Sequence, residues 1–482
     1  MSYHSSIKQR IYYSLPYPLK CGFATLYGVQ QRRARYGEAF RRTLNALRES
    51  QYWTTAQHRE AERRTLAEFL PRAVMSARYY RLHADYARCK GPDDLPHLPI
   101  LEKKSVQESL ESFYADDFRK MPHQWGHTSG TTGRALVFPI HRNCFEREYA
   151  FRALHYGWGG GDLTARDRFA FCSGHPVAYR DRNQPPFWAR DLANNWLLLS
   201  SYHLKPDNLA AYIRKLESFQ PVVLGGYPSS LYLLALAYQR HGRGKLRLRG
   251  VFTASETLLD HQRPVMEEAF GVKVFNWYGN SEMCGHITQC EKGRLHVRHE
   301  HSFLEVVHPD GTPCGPGETG HIVATGFHNP AFPLIRYRVG DEVTLSREDA
   351  CPCGRGGVLV ERIEGRKEDY VVTADGRLIG RLDHLFKDSL HIEEAQIVQE
   401  EAGKVILRVV RRPDYTHDDE EAVRKQAQLR LGSQTDVRFD YVDALERTAG
   451  GKTRFVISHI NQQAWIDQLR QAPAAAADRA ES

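Results

Sequence analysis

A layered α/β fold is predicted here: a large N-terminal domain with a β-rich subdomain, followed by a small α/β C-terminal domain. Three observations predict it. Between Arg168 and Trp277, strand-sized apolar runs alternate with helix-sized segments, the rhythm of sheet and helix layers. From about Leu295, turn signals such as Pro309-Asp310-Gly311 and Gly315-Pro316-Gly317 cut the chain into hairpin-sized pieces. After the charged stretch Glu364 to Asp369, a strand-helix rhythm restarts on a smaller scale. At 482 residues the chain is long for one core, and at roughly 100 to 200 residues per domain two to three units are expected.

Composition narrows the function classes. The chain is 41% apolar and 11% aromatic, enough for true cores, and its net charge of +8 comes from charges of both signs spread throughout. That balance excludes a nucleic-acid binder by composition. The basic excess is partly N-terminal (Lys8, Arg10, Lys20, Arg32, Arg33, Arg35, Arg41, Arg42), interleaved with Tyr and Phe. Contact with a membrane surface is the minor reading of that run, because basic faces are common on soluble helices. No apolar run is long enough to span a bilayer, and residues 1 to 30 lack the pattern of a signal peptide, so a cytoplasmic protein is expected. Nine scattered cysteines argue for reduced thiols, with room for one metal site, and against a disulfide framework.

In order, residues 1–120 read as helical, with an amphipathic stretch from Gln57 to Leu82 carried by Ala61, Leu66, Phe69, Leu70 and Val74. Gly91-Pro92 ends that segment, and Lys103 to Phe113 reads as a further helix. Gly126 to Arg134 then sets three hydroxyls, Ser129, Thr131 and Thr132, around Gly130 and Gly133, so that N–H groups and hydroxyls can converge on one anion. It lacks the Lys-Ser or Lys-Thr of the nucleotide-triphosphate loop, and taken alone an ordinary Ser/Thr/Gly turn is an equal alternative.

Strands follow at Arg168 to Cys172, Pro221 to Leu224, Gly250 to Thr253 and Lys273 to Trp277. A Leu/Ala-rich helix through Gln239 is expected to be capped by Ser229 or Ser230, and Asp260 to begin a helix to Phe270. Two successive strands end in Ala254-Ser255-Glu256 and Tyr278-Gly279-Asn280-Ser281-Glu282. Open α/β sheets bind ligands at that carboxyl edge, which favours Glu256 and Glu282 over acids elsewhere. Downstream, Tyr337-Arg338-Val339-Gly340-Asp341 is expected to hold Asp341 in a tight turn after a strand, where a carboxylate can accept two bonds from vicinal hydroxyls. Strands at Tyr370 to Thr373, His391 to Glu400, Lys404 to Arg411 and Asp436 to Val442, with a helix near Asp418 to Leu431, form the small domain. Gly450-Gly451-Lys452 follows as a glycine-flanked lysine on a loop. The expected division is 1–120, a helical part of the large domain; 121–365, its binding core; 366–369, a hinge; 370–468, the small domain; and 469–482, a disordered tail.

Taken in this order, the Ser/Thr/Gly loop, the two strand-end motifs, Tyr337 to Asp341, Gly365-Arg366 and Gly451-Lys452 resemble the motif series of the adenylate-forming superfamily of acyl-CoA synthetases. The short first loop, the Cys351-Pro352-Cys353-Gly354-Arg355 run and the compact C-terminal unit look most like the phenylacetate-CoA ligase group. Leu15-Pro16 and Arg35-Tyr36-Gly37 are similar to its CapK-like subgroup, named for capsular polysaccharide biosynthesis. The resemblance implies a reaction in which a carboxylate meets the α-phosphate of ATP and the acyl-adenylate then reacts with a thiol or amine. It assigns Ser129, Gly130, Thr131, Thr132, Gly133 and Arg134 to the outer phosphates, and Glu282 to Mg²⁺ with Ser281 beside the α-phosphate. Ala254, Ser255, Glu256, Tyr278 and Gly279 line the nucleotide site, Asp341 and Arg366 hold the ribose, Lys452 bridges carboxylate and α-phosphate, and Glu368 marks the hinge. One departure stands out: Arg134-Ala135 replaces the family's Lys-Pro, and Arg is not a neutral replacement for Lys at a phosphate.

Cys290-x5-His296 with Cys351-x-Cys353 has the composition of a closed tetrahedral zinc site, although the spacing is not that of a zinc finger and unrelated buried thiols are the alternative. The resemblance favours a structural zinc there. Tyr227, Pro228, Trp277 and Tyr278 are expected to line an apolar acyl slot, with Phe171 to His175 nearby and His175 read as structural. The leading reading is an ATP-dependent, AMP-forming carboxylate ligase passing its acyl group to CoA, an aryl or arylacetic acid being the family default. The alternatives are transfer to an amine or hydroxyl of a glycan acceptor and a degenerate, non-catalytic nucleotide binder. The oligomeric state stays open, a dimer being compatible with all three.

Overall fold

The computed structural model describes residues 12–128, 136–175, 177–178, 182, 184–364, 370–380, 382–386, 391–446 and 454–460. Its N-terminal part is helical: Tyr17–Arg35, Glu38–Ser50 and Thr55–Ser76. The third helix begins with a reciprocal cap, in which the Thr54 hydroxyl accepts the Gln57 N–H at 3.3 Å and the Gln57 side chain accepts the Thr54 N–H at 2.8 Å. The continuous stretch expected from Gln57 to Leu82 is interrupted at Ala77. That residue is fully buried, extended and bridged to Ala115, so a tertiary pairing overrides the helical register and a separate turn, Arg78–Leu82, follows.

Strands β1 (His123–His127) and β2 (Val137–His141) form a separate hairpin. The large sheet opens with β3 (Phe169–Ser173), β4 (Trp188–Asp191), β5 (Trp196–Ser200), β6 (Val223–Gly226), β7 (Gly250–Ala254) and β8 (Val274–Gly279). All but the edge strand β4 run parallel. It continues antiparallel through β9 (His286–Gln289), β10 (Leu295–Val297), β11 (Ser302–Val307), β12 (Thr319–Gly326), β13 (Tyr337–Leu345) and β14 (Leu359–Glu364). The twelve strands lie in the order β11-β12-β13-β14-β10-β9-β8-β7-β6-β3-β5-β4.

The parallel half is covered on both faces, as alternation along each strand requires. Ala170, Leu224 and Val251 pack under helices Pro206–Phe219 and Pro228–His241, whereas Phe169, Val223 and Phe252 pack under Glu38–Ser50 and Arg142–Trp158. The antiparallel half packs Val306, Ile322, Ala324 and Tyr337 against Leu66, Leu70 and Val74 of the third helix. Between β3 and β6 the backbones nearly touch, since a Cβ on Gly226 would stand 2.1 Å from the Cys172 carbonyl oxygen.

Two local expectations are corrected. The helix after β6 starts at Pro228 with Tyr227 as its cap, so Ser229 and Ser230 are buried in its first turn; proline at the first position needs no N–H partner. The helix expected from Asp260 starts at Gln262 and ends on Gly271, whose φ of 67° lets its N–H return to the Glu267 carbonyl.

After the hairpin β15 (Val371–Val372) and β16 (Leu378–Ile379) comes a four-stranded sheet, β19-β18-β17-β20, built from β17 (Ile392–Gln399), β18 (Lys404–Arg411), β19 (Asp436–Tyr441) and β20 (Val456–Ser458). Helix His417–Leu431 crosses from β18 to the parallel β19. Buried Arg377 fastens this unit to the large sheet: it donates to the Arg430 and Leu431 carbonyls at the end of that helix and to the Tyr202 carbonyl. Among the described residues no helix is long and apolar enough to cross a membrane.

Two glycines should respond oppositely. Gly22→Ala, in a helix with nothing within 4 Å of the new methyl, should raise stability by about 0.5–1 kcal/mol. Gly226→Ala should cost more than about 3 kcal/mol or abolish soluble expression, because only backbone movement relieves its contact. Chemical denaturation of both variants checks the pair.

Candidate active site

The carboxyl ends of β3, β6, β7 and β8 open into one cleft of about 940 Å³. It lies where the strand order reverses around β3, with β5 on one side and β6 on the other, the place at which an open α/β sheet admits a ligand. Ser173, Tyr227, Glu256 and Tyr278 come to it from the four strand ends. Ser129, Gly130, Thr131, Thr132, Gly133 and Arg134 lie outside the described residues. The hairpin below them closes at Thr128, whose backbone N–H donates to the Leu136 carbonyl at 3.0 Å and whose hydroxyl accepts the Leu136 N–H at 2.9 Å. Thr128 lines the cleft.

Ala254, Ser255 and Glu256 follow β7 directly onto the cleft wall. Ser255 is held at φ 74°, a left-handed conformation uncommon for a residue with a side chain. Glu256 accepts the Ser229 N–H at 3.2 Å, placing its charge at the positive end of helix Pro228–His241. The small domain reaches the same carboxylate, because a Cβ on Gly380 would stand 2.8 Å from it. Tyr278, Gly279, Ser281 and Glu282 line the cleft at the end of β8, followed by Met283 at φ 58°.

Asp341 does not close a turn after a strand, as the sequence predicts, but sits inside β13. Pairing with β12 shifts register between Arg338 and Glu342, so Val339, Gly340 and Asp341 form a bulge that turns the strand, with Gly340 at φ 95°. The bulge brings Asp341 to the cleft. The two motifs then hold each other crosswise: the Tyr278 hydroxyl donates to Asp341 at 2.9 Å, and the Tyr337 hydroxyl donates to Glu282 at 3.0 Å. Burial, with Asp341 adjacent, raises the Tyr278 phenol well above its ordinary value, so it stays a donor. Arg366, Glu368 and Lys452 lie outside the described residues.

Cys290, His296, Cys351 and Cys353 come together at the antiparallel end, with their ligand atoms within 4.8 Å of one another. Cys290 and Cys351 are free thiols with sulfurs 3.6 Å apart, too long for a disulfide and near the ~3.8 Å edge of a tetrahedron with 2.3 Å metal–sulfur bonds. The Cys353 sulfur is 3.5 Å from His296 Nε2, while His296 Nδ1 lies 3.4 Å from the Gly356 carbonyl, an outer contact that fixes the ring. The group fits a closed zinc site with no position left for water.

The residues expected at an acyl slot do not all reach the cleft. Tyr227, Trp277, Tyr278, Phe171 and His175 line the cleft, whereas Pro228 is buried in the first turn of its helix, and a polar patch from helix Arg142–Trp158 meets the aromatic wall, Arg152 lying 4.4 Å from the Trp277 ring. Glu148 and Arg152, 3.5 Å apart, meet His301 there, whose Nε2 is 3.5 Å from the other Glu148 oxygen. Burial works to raise the Glu148 carboxyl, yet the His301 hydrogen bond and the Arg152 charge hold it below the usual carboxylate range. Burial drives His155 down to about 3 and His286 well below 6.5, keeping both neutral. In the sequence Glu148 and Arg152 look like an ordinary i,i+4 surface pair, and no motif marks them.

The cleft and the sheet define a class of fold. The chain has the fold of adenylate-forming CoA ligases: it superposes on the crystal structure of 2-hydroxyisobutyryl-CoA ligase in complex with 2-HIB-AMP and CoA with a TM-score of 0.55, covering 88% of this chain and 94% of that one at 19% identity. Within that class, residues 371–459 match the family described as the CapK C-terminal domain. The chain is similar to Protein CapK of Staphylococcus aureus, 26% identical over 378 residues, 76% of this chain and 81% of that protein. It is also similar to phenylacetate-coenzyme A ligase of Thermus thermophilus, 34% identical over 164 residues, 33% of this chain and 37% of that protein.

Neutral buried histidines set a pH dependence. The unfolded chain protonates His155 and His286 below about pH 6.5, whereas the fold resists it, so their contribution is complete above 6.5 and is lost as pH falls below it, for His155 down to about 3. Each should cost up to ~1.4 kcal/mol of stability per pH unit across that window. Melting temperatures between pH 7 and 4 should fall, and fall less steeply in His286→Asn; equal slopes would contradict the assignment.

Proposed function

We propose that the chain is an AMP-forming acid–CoA ligase. The observation that carries this is the crossed pair at the cleft, in which Tyr278 and Tyr337 fix Asp341 and Glu282 at the carboxyl edge of the sheet. A carboxylate oxygen of the acid attacks the α-phosphorus of ATP, the α–β bridging bond breaks, and pyrophosphate leaves. The thiol sulfur of CoA then attacks the acyl carbon, the acyl–oxygen bond breaks, AMP leaves, and the thiol proton passes to solvent. Charge crowds onto phosphates in the first step, so fixed donors and cations lower the barrier more than a nucleophile would.

Asp341 accepts both ribose hydroxyls, its carboxylate aimed by Tyr278. Ser129, Thr131, Thr132 and Arg134 take the outer phosphates, and Lys452 joins the carboxylate to the α-phosphate, reducing repulsion between two anions. Glu282 would hold Mg²⁺, which supplies positive charge to the phosphates when bound. Cys290, His296, Cys351 and Cys353 would hold zinc, whose part is to tie the β9–β10 hairpin to the loop before β14.

Purified protein with ATP, Mg²⁺ and a broad panel of carboxylic acids should release pyrophosphate, and CoA should accelerate AMP formation. Lys452→Ala should lower pyrophosphate release at least ~10²-fold. No release with any acid, together with an inert Lys452→Ala, would sink the ligase reading; release without CoA dependence would redirect the acyl group to an amine or hydroxyl acceptor. Cys351→Ser should reduce both zinc content by elemental analysis and melting temperature, and unchanged metal content would remove the zinc site.

A further inference from the structure

The acyl side of the cleft carries more fixed positive charge than an apolar acid needs. Arg35 and Arg152 both line it, and both lie against one ring: their guanidinium carbons stand 4.3 and 5.0 Å from the Tyr149 centroid. Trp196 supports Arg35 at 5.9 Å and Trp277 supports Arg152 at 4.4 Å, so aromatic faces hold both cations in place. Among the described residues one carboxylate stands beside these two cations, and it meets only one of them. Glu148 approaches Arg152 and is shared with His301, whereas Arg35 has no carboxylate partner among the described residues. The Arg152 side chain keeps 36% of its surface accessible while its Glu148 partner keeps 12%, and Arg152 lines the cleft.

Around these charges are buried polar atoms without protein partners: Arg152 Nε, His155 Nδ1, both ring nitrogens of His286 and His301 Nδ1. His155 Nε2 lies on the Gln289 carbonyl and His301 Nε2 on Glu148, so their Nδ1 atoms are acceptors; Arg152 Nε and one His286 N–H are left as buried donors without a protein partner, each costing about 1–3 kcal/mol. A surface ion pair does not explain them, since Glu148 is interior and His286 and His301 come from other elements, β9 and the link before β11.

We infer that the acid activated here carries a second anionic group, which Arg35 and Arg152 receive at the acyl end of the cleft. A dicarboxylic acid is the simplest member of that class: one carboxylate is adenylated and the other meets the two guanidinium groups. This rests on the adenylation reading above and adds to it the chemistry of the substrate.

The test uses full-length protein and non-hydrolysable acyl-adenylate mimics, 5′-O-(N-acylsulfamoyl)adenosines, titrated by calorimetry. Succinyl, glutaryl and adipyl forms are compared with chain-matched neutral acyl forms and with the phenylacetyl form, and AMP is titrated alone. At least one dicarboxylate mimic should bind tenfold or more tightly than its neutral match. Arg152→Met and, independently, Arg35→Met should each reduce that ratio below about twofold, with near-native melting temperatures showing that the variants fold. Neutral or phenylacetyl mimics binding as tightly as every dicarboxylate, or a preference unmoved by both variants, overturns the inference while leaving adenylation intact. If neither AMP nor any mimic binds, the adenylate site and the inference fall together.

Discussion

Two phenol hydroxyls hold two carboxylates, and the geometry of the cleft depends on that exchange. Tyr278 ends one strand and Glu282 follows it, Tyr337 and Asp341 belong to another, and each tyrosine holds the other segment's acid. Their strands are not neighbours, because β9, β10 and β14 lie between β8 and β13. The sheet must therefore curl until the ends of β8 and β13 face each other, and the bulge at Val339 to Asp341 supplies the extra length. A buried carboxylate is costly unless hydrogen-bonded. Each pair thus fixes an acid and ties two distant parts of the sheet together.

The change from parallel to antiparallel pairing at β8 and β9 divides the labour of the molecule. On the parallel side, helices on both faces leave only strand ends free to meet ligands. Beyond it, the strands offer hairpins, and there the three cysteines and His296 converge. Arg355 joins that end to the helical layer: it pairs with Glu291 at 2.8 Å, bonds the Gln51 side chain at 3.0 Å, and stacks 4.2 Å from the Trp158 ring. Helix Arg142–Trp158 thus ends beside the cysteine cluster while its earlier turns face the cleft.

Much of the fold was legible because period-two and helical spacings survive in buried segments. The parallel strands, the β-rich change near Leu295 and β18 at Lys404–Arg411 follow from patterning alone. Patterning failed where long-range contacts decide: Ala77 leaves its helix to pair with Ala115, and Asp341 is carried by a bulge that only the facing strand reveals. The motif residues Ser255, Glu256, Tyr278, Glu282 and Asp341 could be picked out because strand ends and glycines flag them, and they do meet at one cleft. The partnerships of Tyr278 and Tyr337 could not, since nothing in sequence links positions 63 and 55 residues away. The polar wall of the cleft was hidden for a different reason. Glu148 and Arg152 have the spacing of a solvated ion pair, and only His301, brought from the link before β11, shows that they face inward.

Ser255 and Met283 each occupy a left-handed conformation at the edge of the cleft. Such a conformation costs on the order of 1 kcal/mol for a residue with a Cβ, and glycine would relieve it. At both positions the residue that would fold with least strain differs from the one that shapes the edge of the cleft. Selection for thermal tolerance alone would drift toward glycine at 255 and 283 and loosen the two loops that shape the cleft. Selection for turnover would keep the side chains and look for compensation in the helical layers, far from the chemistry.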